Sequence, residues 1–70
     1  MRLRASNQVN STVRDTELGA VMAEVTVNVA GQEIGAAITR SSAERLGLAE
    51  GRPVTVFIKP TEVILGVDEA

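Results

Sequence analysis

The stretch VMAEVTVNVAGQEIGAAIT, residues 21–39, decides the fold of this chain. Every second residue of its first half is apolar, which is the period of a strand with one buried face. These residues are Val21, Ala23, Val25, Val27 and Val29. A turn is predicted at Gly31-Gln32, after which the alternation resumes through Ile34 and Ile38. The sequence therefore predicts two antiparallel strands joined as a hairpin.

Further strands are predicted on both sides of this hairpin. Residues 7–19, NQVNSTVRDTELG, are typical of a first strand that ends in a turn near Leu18-Gly19. Residues 52–60, RPVTVFIKP, alternate in the same way, and Pro60 ends that strand because proline offers no amide hydrogen to a sheet. Residues 62–67, EVILGV, are predicted as a short last strand.

Helical signals concentrate in SSAERLGL, residues 41–48. Ser41 and Glu44 have the spacing of a capping box, in which each side chain satisfies a free backbone N–H of the other residue. Gly47 suits the left-handed end of a helix, and Leu48 suits the apolar contact beyond it. The resulting order is five strands with one short helix between strands 3 and 4. It indicates a mainly β fold, a small five-stranded OB-like barrel, in one domain that spans residues 1–70.

Size and composition favour self-association. The chain has 70 residues and contains neither cysteine nor histidine, which excludes disulfides and nearly excludes structural zinc as sources of stability. A chain of this length buries only about 60% of its unfolded surface and is marginally stable alone. Since 44% of its residues are apolar, association of several copies is the expected source of further stability.

Composition also disfavours several classes of function. The formal net charge of −2 and a single aromatic residue, Phe57, argue against binding of a phosphate backbone and stacking of bases. Without His or Cys the usual nucleophile and base pairs are missing, so neither enzyme activity nor a cofactor is expected. The acidic residues are scattered, which disfavours a site for a bare metal cation. No segment has the apolar core of a signal peptide or the length of a membrane span, so we expect a cytoplasmic location and no membrane partner.

Small hydrogen-bond donors gather at three predicted element ends. They are RASN at residues 4–7, TRSS at residues 39–42 and KPT at residues 59–61. Each place combines hydroxyls or a cation with backbone amides that the end of a strand or helix leaves free, and such groups suit a small anion. The alternative interpretation is a helix cap for the hydroxyl residues and an exposed surface charge for Lys59.

The order of these motifs resembles that of the molbindins, stand-alone Mop domains that bind molybdate. The resemblance runs from about Arg4 to Val67 and rests on AxIT before the helix, S…LGL.EG through it and IK.TEV.LG near the end. It implies an OB-like barrel that assembles into homohexamers, built as trimers of dimers. It also implies molybdate or tungstate bound at subunit interfaces, for storage and homeostasis of the oxyanion in the cell.

The resemblance further implies which residues contact the oxyanion. They are Arg4, Ala5, Ser6, Asn7, Thr39, Ser42, Lys59, Pro60 and Thr61. Two places depart from the family pattern. Arginine and serine are exchanged in the first motif, where residues 4 and 6 still project to one face of an extended segment. Pro60 stands where the family has alanine or serine, and it removes one backbone donor.

Two other functions stay open at this point. One is an OB-type module that binds nucleic acid, which would shift single-stranded DNA in a salt-dependent way. The other is a structural assembly domain without a ligand, whose hydroxyls only cap the helix. Metal analysis of protein purified from molybdate-supplemented cells separates the last possibility from oxyanion binding.

Overall fold

The computed structural model describes residues 7–68, and every structural statement below concerns this part of the chain. Its elements are the strands β1 (Asn7–Leu18), β2 (Met22–Val29), β3 (Gln32–Thr39) and β4 (Pro53–Ile58), the helix α1 (Arg40–Leu46) and a 3₁₀ helix (Pro60–Glu62). The first four predicted strands and the position of the helix between strands 3 and 4 are confirmed.

The four strands form one antiparallel sheet in the order β3-β2-β1-β4. The central strand β1 serves two partners: its first half pairs with β4 and its second half pairs with β2. A bulge at Arg14 separates the two halves, because the register with β2 shifts between Val13 and Asp15. The bulged Arg14 forms an ion pair of 2.6 Å with Glu33 of β3. A bulge bends its strand, so β1 can follow two neighbours that diverge.

The predicted hairpin of β2 and β3 is present, with Val29 opposite Gln32. The turn lies at Ala30 and Gly31, one residue earlier than predicted, and their φ angles are 50° and 86°. Positive φ at both central residues is the geometry of the two-residue hairpin turn whose twist matches that of the strands. The side chain of Asn28 supports it, since its Oδ1 accepts a hydrogen bond of 2.9 Å from the Gly31 amide.

The core lies on one face of the sheet and follows the predicted alternation. Val13, Val25 and Val27 are buried at its centre. Partly buried residues surround them: Val29, Ile34, Ile38, Leu48, Val54 and Val56. The helix contributes Ala43 and ends as predicted at Gly47, whose φ is 65°. The amide of Leu48 donates to the Ala43 carbonyl at 3.1 Å, which turns the chain back toward the core.

The prediction of a fifth strand and a closed barrel is wrong for the single chain. Residues 63–68 have no regular secondary structure. Ile64 is 94% exposed, and Leu65 and Val67 are 89% exposed. A strand exists only where its backbone meets a sheet edge, and in the described residues this segment meets none. The edges at β3 and β4 therefore stay unjoined.

Candidate functional site

The hydroxyl residues Thr39, Ser41 and Ser42 lie together where β3 ends and α1 begins. Thr39 is the cap of the helix: its backbone is extended, and its side chain accepts a hydrogen bond of 3.1 Å from the Ser42 amide. The predicted capping box of Ser41 and Glu44 is therefore wrong. Because β3 pairs with β2 as far as Thr39 opposite Met22, the helix begins directly after it, at Arg40.

The hydrogen bonds of this cluster decide which hydroxyls can serve a ligand. Thr39 donates its single hydroxyl hydrogen to the Oγ of Ser42 at 2.8 Å. The Ser42 hydrogen is thereby left to point elsewhere. Ser41 Oγ lies 3.4 Å from Thr39 Oγ1, a long contact in which it can act as the donor. The Ser42 hydroxyl hydrogen is therefore available to a ligand, and the Ser41 hydrogen becomes available when its long contact with Thr39 is exchanged for a contact with a ligand oxygen.

Arg40 connects this cluster to the turn between β1 and β2. Its amide donates to the Val21 carbonyl at 2.8 Å, and its guanidinium donates to the Gly19 carbonyl at 3.2 Å. The same guanidinium forms an ion pair of 3.3 Å with Glu44, one helical turn away. Glu44 is thus occupied by Arg40 and is not free to reach back to the helix start.

A depression of about 420 Å³ lies over this junction. It is lined by Ala20, Val21, Thr39, Arg40, Ser41 and Glu44. The lining combines hydroxyl donors with one cation and one carboxylate that neutralise each other. Arg40 lies within the predicted TRSS motif, but its contacts with the turn between β1 and β2 were not predicted, nor was its ion pair with Glu44, although their spacing of four is that of a helical ion pair.

A second group of predicted residues lies at the other end of β1. Asn7 is opposite Ile58 in the register, so Lys59 follows directly beside the start of β1. Lys59, Pro60 and Thr61 are all exposed, and Pro60 opens the 3₁₀ helix. The remaining predicted ligand residues, Arg4, Ala5 and Ser6, lie outside the described residues.

The two groups are separated by the length of β1. Asn7 begins this strand, whereas Leu18 ends it next to the turn that contacts Arg40. At about 3.3 Å per residue, the ends of the strand are up to roughly 36 Å apart. One small anion cannot contact both groups of a single chain. The structure therefore does not bring the predicted ligand residues together within one copy.

Two other features are absent from residues 7–68. No group of three or more acidic residues is placed so that it could hold a metal ion. In the same range, no helix has the length and apolar character needed to cross a membrane.

The sequence of this chain matches a known protein family. The family model described as TOBE domain matches residues 4–65. The chain belongs to the TOBE domain family.

Two relatives of this chain are proteins named for molybdenum. The molybdenum-pterin-binding protein 1 of Clostridium pasteurianum is 36% identical over 66 residues, which cover 93% of this chain and 97% of that protein. The molybdenum transport protein ModE of Herbaspirillum seropedicae is 38% identical, and the matched region covers 100% of this chain but 26% of ModE.

Two solved structures share the fold. The molybdate binding protein from Sporomusa ovata matches with a TM-score of 0.91 at 34% identity, covering 96% of this chain and 100% of that one. MopII from Clostridium pasteurianum matches with a TM-score of 0.86, also at 34% identity, covering 94% of this chain and 100% of MopII. These matches confirm the resemblance to the molbindins, and this chain is a Mop domain.

Proposed function

We propose that this protein binds molybdate, or its analogue tungstate, at interfaces between identical copies, and that it stores the oxyanion in the cytoplasm. The observation that carries the proposal is the match over nearly the whole chain to a molybdate binding protein at 34% identity and a TM-score of 0.91. The hydroxyl and cationic donors at the two ends of β1 support it.

The donor set suits the chemistry of molybdate. The ion is a tetrahedral dianion whose oxygens accept hydrogen bonds and donate none. The hydroxyls of Ser41 and Ser42 offer neutral donors, and Lys59 offers a charged one. Sulfate has the same charge and shape as molybdate, so the site would distinguish the two ions by the size of its cavity. Phosphate carries a proton that needs an acceptor.

We assign the ligand contacts to two groups of residues. The first is Thr39, Ser41 and Ser42, in which Thr39 positions the other two through its hydrogen bonds. The second is Lys59, Pro60 and Thr61 together with the motif of residues 4–7. Since the groups lie at opposite ends of β1, each needs groups from another copy to enclose an ion.

Residues 63–68 supply a reason for copies to associate. Ile64, Leu65 and Val67 are almost fully exposed, and burying such apolar side chains is favourable. The sheet has open edges at β3 and β4, which a fifth strand would join. We propose that the segment of one copy adds to the sheet of another, so that the five-stranded barrel predicted from the sequence is completed between chains. A reciprocal exchange gives a dimer, and three dimers give the hexamer.

Isothermal titration of the full chain with molybdate, tungstate and sulfate tests the binding proposal. Molybdate and tungstate are expected to bind and to raise the melting temperature, and sulfate at the same concentration is expected to do much less. Equal effects of the three ions would mean a non-selective anion site. If no oxyanion has an effect, and protein purified from molybdate-supplemented cells contains no molybdenum, the chain is a structural assembly domain without a ligand.

Lys59→Ala tests the site within the same assay. A hydrogen bond to a charged group contributes on the order of 1.5–3 kcal/mol, so the affinity for molybdate should fall at least about tenfold. Arg45→Ala is the matched control, because Arg45 is an exposed cation of α1 with no ion pair among the described residues. Equal losses in the two variants would show a general effect of charge.

The names of the Clostridium relatives also mention a pterin. We favour the free oxyanion as ligand, because the chain has only one aromatic ring, Phe57, and it lies on β4, away from the hydroxyl cluster. Fluorescence of a bound pterin in the purified protein would contradict this choice.

A further inference from the structure

Arg40, the first residue of α1, makes two side-chain contacts at once. Its Nη1 donates to the Gly19 carbonyl at 3.2 Å, and its Nε donates to a carboxylate oxygen of Glu44 at 3.3 Å. The guanidinium is planar and rigid, so these contacts fix the carbonyl and the carboxylate relative to each other. Arg40 therefore joins the start of the helix to the turn between β1 and β2.

This turn lacks the backbone geometry that two-residue hairpin turns prefer. Leu18 is paired with Ala23, and the Gly19 amide donates to the Met22 carbonyl at 2.7 Å, so only residues 20–21 lie between the paired ends. The favoured turns have a positive φ at the first of these two positions, because their twist then matches that of the strands. In the described part of the chain the positive φ angles are at other positions, namely residues 30, 31, 47 and 51. The turn therefore depends on contacts from outside it.

Arg40 supplies two of these outside contacts. Its backbone amide donates to the Val21 carbonyl at 2.8 Å, and its guanidinium donates to the Gly19 carbonyl. The first contact is available to any residue with a backbone N–H at position 40, whereas the second needs the arginine side chain. Replacing that side chain therefore releases one end of the turn and leaves the other end attached to the helix start.

The turn also forms part of the depression beside the hydroxyl cluster. Ala20 and Val21 line the depression from the turn, and Thr39 and Ser41 line it from the end of β3 and the start of α1. The guanidinium contact of Arg40 thus holds the two linings at a fixed separation. Only a cavity of fixed size can distinguish molybdate from the smaller sulfate, because a mobile lining would close on either ion.

We propose that Arg40 is a positioning residue that sets the selectivity of the site for molybdate over sulfate. The inference rests on the proposed function and deepens it, because it names the group that keeps the cavity at the size of the larger ion. Arg40 acts through the turn and not through its charge. Its ion pair with Glu44 is neutral as a whole, and any remaining charge acts equally on two dianions of the same charge.

Titration calorimetry of the full chain, with sulfate measured by competition, gives the ratio of the dissociation constants for sulfate and molybdate. In Arg40→Ala this ratio is expected to fall at least about fivefold, because the cavity no longer has a fixed size. Arg40→Lys should show the same fall, since lysine keeps the charge but lacks the planar fork. Glu44→Gln is the matched control. It removes a carboxylate and leaves the contact with Gly19, so both ions should bind about two- to fivefold more tightly at an unchanged ratio.

Amide hydrogen exchange of the ligand-free protein tests the effect of Arg40 on the turn itself. The Gly19 amide is bonded to the Met22 carbonyl across the turn. It is expected to exchange at least about tenfold faster in Arg40→Ala than in the wild type, and at the wild-type rate in Glu44→Gln. Unchanged exchange in Arg40→Ala would mean that the turn keeps its shape without the guanidinium, and this result would overturn the inference.

The titrations can overturn the inference in two further ways. Equal losses of affinity for both ions in Arg40→Ala, restored in Arg40→Lys, would make Arg40 a charged contact of the ligand. Wild-type affinities and an unchanged ratio in both variants would place the determinant of selectivity elsewhere. Either result leaves the proposed function intact, because the wild type still binds molybdate. A wild type that binds no oxyanion refutes the proposed function and, with it, the role of Arg40 in selectivity.

Discussion

Replacing the helix cap gives a sharp test of how the hydroxyl cluster is organised. In Thr39→Ala, the Ser42 amide loses its acceptor at 3.1 Å and the Ser42 Oγ loses its donor at 2.8 Å. Loss of a threonine cap costs about 1 kcal/mol, within a range of about 0.5–2. For a domain of this size, about 1 kcal/mol lowers the melting temperature by about 4–8 °C.

The assay is thermal unfolding of the ligand-free protein at one fixed protein concentration, because association shifts the midpoint. Ser41→Ala is the matched control: it removes a hydroxyl from the same cluster without touching the cap, and should change the midpoint by less than about 2 °C. Thr39→Ser should retain most of the stability, since serine caps a helix equally well. Equal losses in Thr39→Ala and Ser41→Ala, or a larger loss in Ser41→Ala, would refute the assignment of Thr39 as the cap.

Three further predictions concern stability and assembly. Ala30→Asn should stabilise the protein by about 0.5–1 kcal/mol in thermal unfolding, because asparagine tolerates the positive φ of 50° better than alanine does; an unchanged or lower midpoint would contradict the turn geometry. Gly19→Ala should destabilise the protein by about 1–3 kcal/mol, because the new Cβ would meet the Met22 carbonyl oxygen at 2.8 Å. Unchanged stability of this variant would mean that the turn is loose. Leu65→Asp should convert the assembly to smaller species in sedimentation velocity, since it places a charge in the segment proposed to add to another copy; an unaltered sedimentation coefficient would mean that this segment stays in solvent.

Local sequence patterns predicted those elements that depend on local physics. The alternation of residues 21–39 predicted the hairpin of β2 and β3, because one face of each strand is buried. Gly47 predicted the end of the helix, because a left-handed residue without a Cβ is needed there.

The predictions that failed depend on interactions distant in the sequence. Ser41 and Glu44 have the spacing of a cap, but the pairing of Thr39 with Met22 carries β3 to the threonine and sets the helix start. Residues 62–67 have the composition of a strand, but they pair with neither edge strand of the sheet, β3 or β4, in the described part of the chain. The separation of Asn7 from the hydroxyl cluster follows from the strand order, which no local motif encodes.

The double pairing of β1 has a consequence for the order in which the chain folds. β2 and β3 are adjacent in sequence and joined by a two-residue turn, so their contacts close a very short loop. The first half of β1 must instead find β4 across almost the whole chain, with Asn7 opposite Ile58. Long loops close slowly, so the hairpin should form early and the β1–β4 ladder late. The Lys59 end of the candidate site should therefore form last, after the strands that carry the hydroxyl cluster have formed. Pulsed hydrogen exchange during refolding would then show amides of β2 protected before those of β4.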